Sequence, residues 1–277
     1  AKYWHVPMAE LATDWLGGRL LPSQVDNIIA GAQGPVEERQ AVFRKFRYPR
    51  RGGFQALLAR LHEGVDLQFG RRAVRVAAAR RAVHFADGAV EGYDTLVSTI
   101  PLPELVAMIP EAPAEVRAAA GKLRALRQYC VNLVVDRPAL SPAQWFYIYD
   151  PDIAASRVSF PFALSGETSR RTAIQAEVFM PAGARPDEAA LRDRTVADMG
   201  RVLNFSPAEV VAAEIRCYPY SYVVSDLVRA SAVRRIREWL SAHRIRTAGL
   251  FGDWAYIWSD RAYASGRALA DDLAKAP

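Results

Sequence analysis

"FGDWAYIWSDRAYASGRALA", residues 251–270, stands near the end of a 277-residue chain and sets the terms for reading the rest. It runs through Gly252-Asp253 and three large aromatics, Trp254, Tyr256 and Trp258, into a helix of small residues holding Ser265-Gly266. The apolar "GLF" at its start reads as a short strand, and the helix is expected to begin near Asp260, so the stretch is a strand-to-helix corner. A helix start offers free N–H groups to a carbonyl or phosphate oxygen and favours negative charge there. The aromatics suit either a packed cluster or the wall of a flat ring system.

A second stretch has related logic. "FRYPRRGGFQALLARL", residues 46–61, is an aromatic-proline turn, then Gly52-Gly53, then a predicted helix. Glycines remove the side chains that would keep a ligand from the backbone. After it, "GVDLQF", "AVRVAA", "AVHFADG" and "YDTLVSTI" read as short strands, with Asp87-Gly88 as a hairpin turn. "TLVSTI" is apolar enough for a parallel strand covered on both faces. Helices follow in "PLPELVAMIPE" and "APAEVRAAAGKLRAL". "QYCVNLVV", "QWFYIYD", "SRVSFPF" and "RTAIQAEVFM" then predict an antiparallel sheet. A helix is expected over residues 187–203, another at "SPAE" with Ser206 as its cap, and an amphipathic one in "LVRASAVRRIREWLSAH". Before all of these, residues 3–31 read as short helices with Trp4, Leu11, Trp15 and Leu16 as core contacts.

Composition narrows the class. Apolar residues make up 51% and charged residues 24%, a globular balance. No uncharged apolar run approaches the ~18 residues of a membrane span, and no secretory signal opens the chain. Cys130 and Cys217 show no metal spacing and suit a reducing, cytoplasmic setting, and the four histidines show no pairing that predicts a metal site. The net charge of +6 favours anionic small molecules. Its arginine-rich stretches lack interleaved aromatics, so nucleic acid is not expected as a partner.

Taken together, residues 48–53, 93–103, 145–162 and 249–266 resemble the FAD-dependent amine oxidase and protoporphyrinogen oxidase superfamily. Within it they are most similar to the UDP-galactopyranose mutase-like group. The resemblance implies an α/β (α+β) fold: an FAD-binding Rossmann-like domain, incomplete here, with an inserted antiparallel-sheet substrate domain and helices. It implies a helical substrate-side segment over 1–45, FAD-domain parts over 46–105 and 246–277, and the substrate domain with helices over 106–245. It implies that FAD meets Gly52, Gly53, Gly252, Asp253 and Trp254, with Asp260, Arg261, Ala262 and Tyr263 at the flavin's pyrimidine edge and Ala73 near the adenosine end. It implies an anionic substrate, such as a nucleotide sugar, held by Arg19, Arg157, Tyr256 and Tyr218 or Tyr222. Arginine suits a diphosphate because its fork of donors matches paired oxygens.

The sequence departs from the family pattern in two places. It contains no G-x-G-x-x-G, the cradle for a dinucleotide pyrophosphate, which predicts weak or no FAD retention by this chain alone. The expectation is a fragment of a longer flavoprotein; the alternative is a short protein that lost its cofactor or completes the flavin site with a second chain. Leu250 stands where the mutase-like group usually has arginine, and Ser156 where an aromatic is common. These changes favour an oxidoreductase over a mutase-type isomerase. A flavin-less, non-catalytic partner protein is the remaining alternative.

Overall fold

A computed structural model describes residues 2–16, 25–34, 47–167 and 169–275. A strap over 2–16 with two 3-10 turns precedes α1 (Val25–Gln33). Strands β1 (Ala73–Ala77), β2 (Ala82–Phe85) and β3 (Val90–Gly92) form an antiparallel meander. At the β2–β3 turn, Asp87 Oδ1 accepts from Ala89 N and Gly88 takes φ 88°. Strand β4 (Leu96–Ser98) leads to α2 (Leu102–Ala107) and α3 (Ala114–Ala120). Then come β5 (Leu126–Val135), β6 (Trp145–Tyr147), β7 (Arg157–Ser159), α4 (Pro161–Ser165), β8 (Thr172–Pro181), α5 (Glu188–Leu203) and β9 (Val210–Tyr218). The chain closes with α6 (Arg229–Ala242), β10 (Ile245–Thr247), α7 (Gly249–Gly252) and α8 (Ser259–Leu273).

The large sheet is antiparallel, in the order β6-β7-β8-β5-β9. Alternation in β5 sends Tyr129, Val131, Leu133 and Val135 to one face, where α5 covers them. Asp187 caps α5 by accepting from Ala190 N. Cys130 and Cys217 stay free thiols, because Cys217 pairs with Tyr129 and so points to the face opposite Cys130.

A second core joins the meander to α2, α3, α6 and β10, with Trp254 inside it. Helices α3 and α6, expected with the antiparallel sheet, thus pack in this core. Strands β4 and β10 pair in parallel, as the apolar run "TLVSTI" predicts, although Val97 stays exposed. Among the described residues no helix is long and apolar enough to cross a membrane.

Four local expectations fail for identifiable reasons. "GVDLQF" forms no strand, and the helix expected after Gly53 is only a 3-10 turn, Phe54–Leu57. Phe54, Leu57, Leu58 and Leu61 all remain exposed, and a helix this short needs a packed face to hold it. "SPAE" does form its capping box, with Glu209 Oε2 accepting from Ser206 N at 2.7 Å. It yields one 3-10 turn because Val210 and the residues after it pair with β5. Finally, "GLF" is helical: the last strand is Ile245–Thr247, and Gly249, at φ 79°, turns the chain into α7.

Gly252 at the end of α7 lies hard against β4. A Cβ there would sit 2.7 Å from Ser98 O and 3.2 Å from Thr99 Cα, both backbone atoms. Gly252→Ala should therefore destabilise the protein by about 1–3 kcal/mol, read as a lower urea midpoint with an unchanged slope. Gly266, with open space around its Cβ position, is the control that should tolerate alanine.

Candidate functional site

The strap 2–16 closes one side of an aromatic pocket. Lys2 Nζ donates to three carbonyl oxygens, Ile148, Asp150 and Ala155, at 3.0, 2.7 and 2.8 Å. His5 Nε2 lies 2.6 Å from Phe179 O, Ala12 N donates to Ser225 O, and Arg124 bridges Glu10 and Asp226. These ties seat Tyr3, Trp4 and Trp15 opposite Tyr222, Tyr256 and Trp258. Tyr256 meets Trp4, Trp15 and Tyr222 edge-on, with centroids 5.2, 5.4 and 5.4 Å apart. Such edge-to-face contacts fix ring orientation as well as burying area. The cavity they enclose, completed by Trp145, Tyr147 and Arg157 from the sheet, has a volume of about 720 Å³.

Among the described residues two charged side chains line the cavity: Lys2, whose Nζ is taken up by the three carbonyls, and Arg157. Arg157 Nη2 donates to Glu177 Oε1 at 2.6 Å across the β7–β8 pairing. Burial works against the guanidinium's charge, but Glu177 and the Tyr222 and Tyr3 hydroxyls outweigh it, so its pKa moves up. For Glu177 burial dominates and raises the carboxyl, with Arg157 only partly offsetting it; Glu177 Oε2 has no hydrogen-bond partner among the described residues. Tyr3 and Tyr222 are also pushed up, first by burial, so both hydroxyls stay protonated donors at neutral pH. Below them, burial and the charge of Glu177 push the Cys130 thiol to about 12.

The expected residues divide in three. Arg157, Tyr222 and Tyr256 are brought into one pocket, while Tyr218 lies exposed at the end of β9, outside it. Arg19 lies outside the described residues. Of the cofactor set, Gly52 and Gly53 sit in an exposed turn at φ 80° and 62°, and the hydrogen bonds of residues 53–65 close within that segment among the described residues. Ala73 opens β1 and is partly buried.

The closing corner is braced from within. Asp253 accepts from Thr247 Oγ1 at 3.0 Å and from Ser265 Oγ at 2.6 Å, with Arg237 at 3.7 Å. Ser265 Oγ in turn accepts from Gly249 N. Both oxygens of Asp253 are thus spent inside the corner, and Gly252 is set by its contact with Ser98. Trp254, expected as a wall, is wholly buried at φ 49° and edges onto Tyr220, so the wall falls to Tyr256 and Trp258. The start of α8 is placed differently: Trp258 precedes its first turn and lines the pocket. Asp260, Ala262 and Tyr263 lie in its exposed first turns, and Arg261 lines a second, wider cleft of about 1250 Å³ between α6 and α8.

The family model for flavin-containing amine oxidoreductases matches residues 15–274. The chain belongs to this family. The family is a flavin family, and the fold agrees. A crystal structure of reduced UDP-galactopyranose mutase is similar with TM-score 0.86 and 21% identity, over 99% of this chain and 62% of that one. A protein provisionally assigned as a protoporphyrinogen oxidase, from Exiguobacterium sp. 255-15, is similar with TM-score 0.65 and 18% identity, over 80% of this chain and 51% of that one. At these identities the likeness is one of fold. The chain spans about three fifths of the mutase's length. No curated protein matches it.

For a flavin, this family member supplies a partial fit. The first-turn N–H groups of α8, next to Trp258, are of the kind that suits the carbonyl edge of an isoalloxazine ring. The sequence holds no glycine-rich cradle for a pyrophosphate. Among the described residues no cluster of metal-ligating side chains occurs.

Sequence reading missed Lys2 and Tyr3, for which no local signal exists, and used Trp145 and Tyr147 only as markers of the arginine that follows. Glu177 did leave a signal: it interrupts the apolar run of "AIQAEVFM" in a buried strand. Its raised pKa has a measurable sign. The folded protein keeps a proton that the unfolded chain releases near the ordinary 4.5, so stability falls as pH rises through that window. In Glu177→Gln this share of the fall should vanish, seen by comparing urea midpoints of the two proteins from pH 4 to 7. Parallel curves would show that Glu177 titrates as it does in the unfolded chain.

Proposed function

We propose that this chain forms the substrate-facing part of an FAD-dependent oxidoreductase acting on an anionic small molecule with a flat ring, a nucleotide sugar being the favoured class. One observation carries the reading: a single pocket gathers Arg157, Tyr222 and Tyr256 beside Trp258 at the start of α8. Its volume lies within the range of small-molecule sites, and its walls are aromatic with few polar groups. Glu177 orients the guanidinium, so less side-chain freedom is lost when an anion binds. Tyr222 and Tyr3, held neutral, can donate to oxygens but not repel them. Trp145, Tyr147 and Trp258 line the pocket, an aromatic character that suits a heteroaromatic ring.

When bound, a flavin supplies two-electron transfer; the residues of this chain bind, orient and shield. The first-turn N–H groups of α8 would favour negative charge on the ring carbonyls that face them. The strap, tied down through Lys2, keeps bulk water from the pocket's closed side. Ring isomerisation of the kind named for the mutase is the second reading, supported by the likeness in fold. Leu250 in place of arginine favours oxidation.

The test is a titration of the chain with UDP and with uridine, followed by tryptophan fluorescence. UDP should bind more tightly than uridine. In the double variant Arg157→Met/Glu177→Gln, which strands no buried charge, the preference should fall by roughly ten- to a hundredfold, the worth of a charge-assisted hydrogen bond. Equal binding of UDP and uridine by the unaltered chain would remove the anion from the proposal. Flavin absorbance of the same sample with added FAD should show weak retention, with α8 variants at Asp260 changing the bound spectrum.

A further inference from the structure

The parallel pair of β4 and β10 stops at two strands among the described residues, and the β10 edge opens on the wider of the two clefts. Leu96 N donates to Arg244 O at 2.9 Å, and Ala248 N donates to Ser98 O at 3.2 Å. Bonds in a parallel ladder come from alternate residues, so Arg246 turns both its backbone groups to β4. The N–H and C=O groups of Ile245 and Thr247 then point the other way, and they form no hydrogen bond among the described residues. These two residues are 1% and 7% exposed, so bulk water does little to satisfy them. Buried backbone groups in folded proteins are nearly always paired. Four in a row call for a partner.

The surroundings have the shape of a place for one. Neighbouring residues of a strand point to opposite faces of the sheet. Ile245 packs with Val233, Ile236 and Leu240 of α6, while Arg246 Nη2 reaches Asp272 Oδ2 of α8 at 2.7 Å. The two helices thus stand on opposite sides of the sheet plane, and the cleft of about 1250 Å³ runs along β10 between them. All three β10 residues line it, with Val233 and Leu240 from α6 and Ala264 from α8. A further strand would lie about 4.8 Å from β10 and be covered by a helix on each face, as parallel sheets require. The usual guards of an edge are missing: β10 holds no proline, and its arginine is taken by Asp272.

The slot also selects the chemistry of its occupant. A strand covered on both faces is a near-continuous apolar run rich in valine and isoleucine. Five arginines and two carboxylates line the cleft. Arg229 is held by Asp14, Arg237 by Asp253 and Arg246 by Asp272. Arg234 and Arg261 lie exposed, with no ion pair among the described residues. Complementary charge then asks for acidic residues at the ends of the run.

We propose that this slot takes a strand from a partner polypeptide, an apolar β-branched run with acidic ends, laid along β10. The added strand makes main-chain hydrogen bonds to Ile245 and Thr247 and buries its side chains against α6 and α8. It needs neither the ligand of the aromatic pocket nor a flavin.

The experiment is amide hydrogen exchange of the ¹⁵N-labelled chain, read by NMR at Ile245, Arg246 and Thr247. The probe is a peptide with Val-Ile-Val-Ile at its centre and aspartates at both ends; the control peptide has lysines in their place. At a probe concentration about ten times its dissociation constant, exchange at Ile245 and Thr247 should slow by about tenfold relative to Arg246. The lysine-flanked peptide should bind about tenfold more weakly or worse, and the double variant Arg234→Glu/Arg261→Glu should reverse that preference. Ala264→Phe fills the slot from an exposed position of α8 and should abolish the protection, with folding checked by thermal melting. The double variant, at exposed positions, serves where Ala264→Phe does not fold. Unchanged exchange with the acidic peptide, equal binding of the two peptides, or protection that survives Ala264→Phe would overturn the proposal. So would protection of Ile245 and Thr247 equal to that of Arg246 in the dilute chain alone, or protection that grows with the concentration of the chain, since its own segments or a second copy would then fill the edge. UDP titrated into the same sample is read separately by fluorescence, so failure of the strand slot and failure of the nucleotide pocket are distinguished.

Discussion

The close contact between Gly252 and the carbonyl of Ser98 fixes the rest of the molecule. It presses the last helical corner onto the end of β4, and only a residue without a side chain permits that distance. From this point Asp253 reaches back to Thr247 and forward to Ser265, which clamps β10 and α8 to one carboxylate. Trp254 is driven into the core, and the chain emerges with Tyr256 and Trp258 aimed at the strap. A corner built to approach a ligand and a corner built to approach its own backbone have the same residue types. Here the glycine meets the Ser98 backbone and the acid braces Thr247 and Ser265, while Tyr256 and Trp258 after them line the pocket.

Arg157 enters the pocket as one half of an ion pair, while the Lys2 ammonium is turned to three backbone carbonyls. A buried guanidinium next to a buried carboxylate is costly to desolvate, and such pairs rarely add stability over apolar residues of equal size. Their value is orientation. Glu177 holds Arg157 pointing along the β7–β8 row while its own second oxygen goes without a partner among the described residues. The surrounding tyrosines stay neutral donors because burial raises them. The result is a pocket with aromatic walls, a fixed donor group and little net charge, suited to a ligand whose ring supplies much of the binding energy.

The two faces of the antiparallel sheet differ in what they carry. The apolar face is sealed by α5 around Val131, Leu133, Ile174 and Val178. The other carries the Arg157–Glu177 pair and the hydrogen-bonded row of Gln175, Asn132 and Glu214, each crossing strands far apart in sequence. The exposed apolar residues from Phe54 to Phe69 form a different kind of surface. Among the described residues these side chains join no core, and the local backbone is in turns.

Much of the framework was legible in order along the chain. The β2–β3 turn, the alternation of β5 and β8, the caps of α5 and the start of α8 are local effects. They depend on backbone preferences and on the period of apolar residues, which a sequence displays directly. The family likeness is carried by short stretches of the same kind, and it points to Arg157 and Tyr256, with Tyr222 as one of two alternatives beside Tyr218. What tertiary structure alone decided was partnership. Lys2 finds its carbonyls some 150 residues away, "GLF" becomes helix because Gly249 turns and Ser98 lies beneath, and "SPAE" gives one turn because β5 claims the valines. The sequence by itself determined which segments had a face to bury; the fold determined what each face met, because packing and hydrogen bonding between distant segments outweigh the fraction of a kcal/mol per residue that separates one local conformation from another.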